Sequence, residues 1–228
     1  SPDFRILQVS NGKLTLERVT IRGGKLDGRG GGIFASSELL VINCRISNNR
    51  SARGGGISTG SVGMVINSVV TDNEATVDGG GILNEVFGTL IVLNSTISNN
   101  LNSTLGLGGG GIRNKGGIMT LTNTTLSGNV SVGSGGAIFN DFDRGFNAET
   151  TLINTTITAN RAARGSGFAV EFDATMPGHS ELKNSIVAEN PGGDCLGPFI
   201  SLGHNLDSDA TCGLNHPGDL SGLNPLLG

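Results

Sequence analysis

One pattern is written along the chain about seven times, and few architectures can accommodate it. Its clearest copy is Gly79 to Asn100, GGGILNEVFGTLIVLNSTISNN. Glycine-rich starts lead into Ile33, Ile57, Ile82, Ile112, Ile138 and, in degraded form, Phe168, at steps of 24, 25, 30, 26 and 30 residues. A repeat of this length, rich in β-branched residues and without helical periodicity, winds one coil of a solenoid per copy.

Aligned on Asn43, Asn67, Asn94, Asn123, Asn154 and Asn184, the copies resolve into columns, with Arg18 holding the same place in the first coil. Six residues later stand Asn49, Asn73, Asn100, Asn129, Asn160 and Asn190. Two residues before the first Asn the column reads Leu16, Val41, Val65, Val92, Leu121, Leu152 and Leu182, apolar throughout. Such columns make sense when equivalent residues stack at the spacing of neighbouring strands, ~4.8 Å. Aliphatic columns then fill the interior, and stacked Asn side chains satisfy one another along the axis. The fold expected is all-β, a right-handed parallel β-helix of about seven coils. Its hand follows from the usual crossover preference. Residues 1–190 form the helix and residues 191–228 a C-terminal cap and tail.

Composition narrows the function. Gly is 39 of 228 residues, well above the usual ~7%, but no Gly-X-Y period makes it collagen. Charged residues are only 15% and the net charge is −4, so no basic footprint for nucleic acid exists. Tyr and Trp are absent, removing the rings on which sugars and bases usually stack. The sequence holds no apolar run of 18 residues, the length that a membrane-spanning helix needs. An Asn- and Thr-rich, Lys-poor chain with two closely spaced late cysteines reads as extracellular.

Gly135-Gly136-Ala137-Ile138 resembles the GGA-I element of the polymorphic outer-membrane protein family. Ile97-Ser98-Asn99-Asn100, Leu126-Ser127-Gly128-Asn129 and Ile157-Thr158-Ala159-Asn160 are similar to its second element, F-x-x-N, with Ile or Leu in place of Phe. The resemblance covers roughly residues 12 to 190. It implies a secreted or cell-surface bacterial β-helix with adhesin-like or passenger-like use, and it transfers no functional residue.

Insertions lengthen the same corner of the last two coils, at 140–147 and 170–179. Counted from Ile138 and Phe168, they stack Asp141 on Glu171 and Asp143 on Asp173, with Lys115 and Glu85 in earlier coils of the Asp141 column. Like charges one coil apart call for compensation. Calcium is one candidate ligand for Asp141, Asp143, Glu171 and Asp173, since it takes six to eight oxygens; no cofactor is required. Arg144, Lys115 and His179 are alternative counter-charges. A raised carboxyl pKa, suited to acid/base chemistry on an acidic polysaccharide, is the third option. The plainer reading, an exposed ladder of alternating charge beside two loops, is the one adopted.

The dinucleotide fingerprint spelled from Gly106 to Gly111 lies inside a repeat with no following helix and carries no weight. Cys195 and Cys212 read as a disulfide stapling the C-terminal cap, worth ~3 kcal/mol on the loop-entropy estimate; two free thiols in a loop are the alternative. Cys44 reads as a small buried filler.

If the Leu16-to-Leu182 column points inward, its strand neighbours point out. Leu40, Met64 and Ile91, and Ile42, Ile66 and Leu93, then form six adjacent large apolar residues outside three consecutive coils. A soluble monomer rarely leaves such a patch bare. The expected function is a non-catalytic module for adhesion or assembly, which docks a protein partner or its own copies on this face. The second expectation is a polysaccharide lyase, epimerase or hydrolase acting on acidic glycans.

Overall fold

A computed structural model describes residues 3–105, 107–143, 145–171 and 179–227. These residues carry strands and no helix. Each early coil contributes one strand to each of four parallel sheets, so sequence neighbours sit on different faces and repeat equivalents pair side by side. In the fourth coil the strands are Ile82–Asn84, Thr89–Leu93, Thr96–Ser98 and Leu101–Asn102. The sheets to which these belong hold eight, eight, nine and five strands, in a solenoid of about seven turns.

The register matches the columns. Val41, Val65, Val92, Leu121 and Leu152 pair in sequence across the second sheet, and all are buried. Ile33, Ile57, Ile82, Ile112, Ile138 and Phe168 do the same in the first sheet at 0% exposure. Each such side chain gains about 1.5–3 kcal/mol from leaving water. The glycine triplets mark where coils approach most closely. A Cβ at Gly81 would lie 2.7 Å from the Gly111 carbonyl oxygen, and Gly79 adopts φ +62°, a conformation that costs L side chains energy.

The two asparagine columns do different work. Asn43, Asn67, Asn94, Asn123, Asn154 and Asn184 follow register-paired strand ends and turn the chain with φ of 49–53°. They lie on the outside, where Asn123 donates to Asn94 at 3.0 Å and Asn154 to Asn123 at 3.1 Å. The second column is interior. From Asn49 to Asn190 each side-chain amide donates to the Oδ1 of the next coil at 2.9–3.0 Å. The same amide also reaches a strand carbonyl, as Asn100 does to Val70 at 3.0 Å. A third, shorter interior ladder runs from Asn84 to Asn114 and Asn140, at 2.8 and 2.9 Å, and ends on the Ser180 hydroxyl at 2.9 Å.

Past residue 190 the chain continues the winding before it closes the core. Cys195–Leu196, Ile200–Ser201 and Leu206–Asp207 add strands to three of the sheets, and Leu220–Ser221 pairs beyond them. Phe199 meets Phe168 edge to face at 4.9 Å, and Leu214 packs on the same core end. Cys195 and Cys212 are joined by a disulfide, both buried, whereas Cys44 is free and buried.

Candidate functional site

The lengthened corner lies where the first sheet hands over to the second. Asp141 does not project on a loop: it is the last residue of the strand Ile138–Asp141 and is 4% exposed. Its partner is Arg113 of the preceding coil, whose Nη2 and Nε donate to the two Asp141 oxygens at 2.5 and 3.2 Å. The remaining arm of that guanidinium, Nη1, reaches Asp78 Oδ2 at 2.5 Å. Arg113 points outward from the first sheet between Leu83 and Phe139, with which it is in register. It is nevertheless buried, its guanidinium 5.7 Å from the Phe139 ring centre.

Two carboxylates thus share one buried cation. Burial alone would lower the Arg113 pKa, but bonding and attraction to Asp141 and Asp78 raise it further above its ordinary value. Burial raises the Asp141 carboxyl; Arg113 pulls it back only in part, and the Glu171 charge adds to the rise. Arg53, 3.9 Å from Asp78, supplies a second, more exposed positive charge. A buried network of this kind fixes geometry more than it adds stability.

The other members of the acidic set are distributed around this triad. Lys115, in register with Asp141, bridges to Asp143 at 3.3 Å. Glu85 is bridged by Arg29 at 3.0 Å. His179 faces Glu181 at 3.9 Å. Glu171 is exposed at the rim of a cleft of about 470 Å³, floored by Phe139, Ala169 and Leu196 and flanked by Arg164. Asp173 and Arg144 lie outside the described residues. Among the described residues no group of three or more His, Cys, Asp or Glu is arranged to hold a metal ion. Asp141 and Asp143, two of the four acids, are therefore held by Arg113 and Lys115. Arg113, which sequence reasoning passed over, is the main counter-charge.

The second sheet presents a different surface. Its strands alternate strictly, with Leu39, Val41, Val65, Leu90 and Val92 inward and buried. Leu40, Met64 and Ile91 stack in register on the outside, as do Ile42, Ile66 and Leu93, all partly exposed. The patch is wider than the six positions. Val62 and Ile118 occupy the outward column at the strand starts and are 41% and 51% exposed. Beyond that column an aromatic pair, Phe87 and Phe146, meets edge to face at 4.4 Å, with Phe87 largely bare and Phe146 about half covered. Both lie in the connections between strands, outside the repeat columns, so the repeat does not mark them.

Polar and charged residues close the patch at both ends. In the first two coils Lys13 bridges Glu38 at 2.7 Å, and Glu17 lies 3.5 Å from Arg18. On the other side, the strands Glu149–Ile153 and His179–Lys183 place Glu149, Glu181 and Lys183 outward, before Ile200 of the edge strand turns outward again. The C-terminal residues do not cover the face, because their strand Ile200–Ser201 joins the second sheet at its far edge, beyond His179–Lys183.

Residues 123–141 match the family model for the Chlamydia polymorphic membrane protein (Chlamydia_PMP) repeat. The matched stretch holds Leu126-Ser127-Gly128-Asn129 and Gly135-Gly136-Ala137-Ile138, one third-sheet corner and the start of the next coil. No curated protein and no solved structure matches the chain. Similarity to this repeat, together with the β-solenoid, points to a bacterial surface or outer-membrane protein. No helix among the described residues is long and apolar enough to cross a membrane.

Proposed function

We propose that the chain is a non-catalytic surface module that adheres or assembles by docking protein on the outer face of its second sheet. The observation carrying this reading is the run of outward aliphatic residues centred on Met64, Ile66, Ile91 and Leu93, stacked in register on a rigid, regular sheet. Contiguous apolar surface of this extent is characteristic of interaction sites, and the aromatic pair at its margin is the residue type that anchors interfaces. Similarity to a polymorphic membrane protein repeat supports a surface setting.

The acidic corner gives less support to an enzyme acting on polysaccharide. Asp141 is engaged by Arg113 on both oxygens and Asp143 is bridged by Lys115, so neither is presented freely to a substrate. Beads coated with the chain test the proposal by clustering or by adhering to a cell layer. The Ile66→Thr, Ile91→Thr variant is expected to lose that behaviour while remaining folded. Equal adherence by both proteins contradicts it.

A further inference from the structure

The third interior ladder begins with an acceptor that nothing fills. Asn84 donates to Asn114, Asn114 to Asn140 and Asn140 to Ser180, so every amide in it points toward the later coils. At the other end Asn84 Oδ1 is buried and has no hydrogen-bond partner. In register with Asn84 on the preceding coil stands Thr59, 0% exposed, and its Oγ1 is likewise buried and without a partner. Two polar atoms of complementary kind thus stand on adjacent coils of one column, both unsatisfied. The reason is reach. Backbones one coil apart are about 4.8 Å apart; an Asn amide spans that gap, as the ladders show, and the shorter Thr hydroxyl does not.

The neighbouring strand leaves room for a third group. In the second sheet the inward column beside these residues reads Leu14, Leu39, Gly63, Leu90 and Met119, so the third coil has a glycine where the coils around it have large side chains. Gly63 lies against the unpaired hydroxyl: a Cβ there would stand 3.1 Å from Thr59 Oγ1. One coil earlier the Thr59 column holds only Ala35.

We propose that this point of the core binds one ordered water, which accepts from Thr59 Oγ1 and donates to Asn84 Oδ1. A hydroxyl can donate, whereas an amide oxygen only accepts, and a buried water needs about two to four polar partners. An unmade buried hydrogen bond costs more than holding one water in place. The water extends the third ladder by one coil and stands beside the place that Leu39 and Leu90 fill in the coils on either side. It underlies the strand Val62–Ile66, which carries Met64 and Ile66 on the outer face. The inference is independent of what that face docks.

A crystal structure at a resolution that shows ordered water tests this, with water–protein nuclear Overhauser effects as the solution counterpart. The parent chain is expected to show a water about 2.8 Å from both Thr59 Oγ1 and Asn84 Oδ1, and long-lived water contacts at the Gly63 and Thr59 protons. Thr59→Val keeps the shape and removes the hydroxyl, so those contacts should vanish and the urea midpoint should fall. Thr59→Asn lets an amide reach Asn84 directly, so the water should leave while the midpoint stays at or above that of the parent. A direct Thr59–Asn84 hydrogen bond, or a dry site in the parent, overturns the proposal. So does a Thr59→Val chain that unfolds at the parent's midpoint.

Discussion

Asn190 donates both its backbone and its side-chain N–H to one oxygen of Asp194, at 3.1 and 2.9 Å, so the interior asparagine ladder ends on a carboxylate. The choice has a physical reason. Every Asn in the ladder passes a donor forward, and the last one requires an acceptor that asks for nothing in return. The other Asp194 oxygen accepts from Ser208 N and Oγ at 2.8 and 2.6 Å, tying the final turn to the ladder. Asp194→Ala removes the acceptor of the buried Asn190 N–H and of the Ser208 N–H, while the Asn190 side-chain amide keeps the Ile157 and Ala188 carbonyls, and urea unfolding should show a loss of about 1–3 kcal/mol. Asp194→Asn, which keeps one acceptor oxygen, should lose less.

The two asparagine columns should respond differently to substitution. Asn100 is fully buried and bonded at both ends of its amide, so Asn100→Ala should cost about 2–4 kcal/mol. Asn123 is exposed and serves mainly to turn the chain at φ 51°. Asn123→Gly, which adopts that conformation freely, should fall within about 0.5 kcal/mol of the parent. Thermal unfolding of the pair measures the contrast.

The repeat made the fold legible because a solenoid writes each structural position several times. The inward column from Leu16 to Leu182, both asparagine columns and the outward phase of Leu40, Ile42, Met64, Ile66, Ile91 and Leu93 all rest on that redundancy. Positions written once were not legible. Arg113 falls in a column that also holds Gln8, Phe34, Ser58, Leu83, Phe139, Ala169 and Leu196, with no other charge, and its partner Asp78 lies 35 residues back on another face. The third ladder, Asn84 to Asn140, was written two residues after each inward Ile and could have been found. Past residue 190 the triplet is degraded to Gly192-Gly193-Asp194 before Cys195, and the strands that follow are only two residues long, so the further winding was marked too faintly to be followed.

Arg113→Met leaves Asp78 and Asp141 buried without their shared cation, and a loss of about 3–5 kcal/mol is expected near neutral pH. The parent should also show a pH signature of Asp141. Its folded pKa lies above the ordinary 3.8, so between those two values the folded chain holds the proton more tightly than the unfolded one. The stability it contributes is therefore present at low pH and lost as pH rises through the folded value. Denaturant melts across the acid range should show this slope, and Asp141→Asn should remove it.

The Cys195–Cys212 bond closes the last turn over the core end beside Phe168. Reduction, or Cys195→Ser with Cys212→Ser, should lower stability by about 3 kcal/mol. Amide exchange should accelerate first in 195–221, with the central coils still protected. Uniform acceleration along the chain would show instead that this end controls the whole solenoid.

The central claim is that the stacked aliphatic residues outside the second sheet are a working surface and not misassigned core. Equilibrium unfolding and bead adherence of Ile66→Thr, Ile91→Thr, set beside Val65→Thr, test it most directly. Val65 is 1% exposed and points inward, so its replacement should destabilise the fold by more than about 1 kcal/mol. The outward pair should change stability by no more than about 0.5 kcal/mol while abolishing adherence. A large loss of stability in the outward pair, with adherence kept by the folded fraction, would contradict the account.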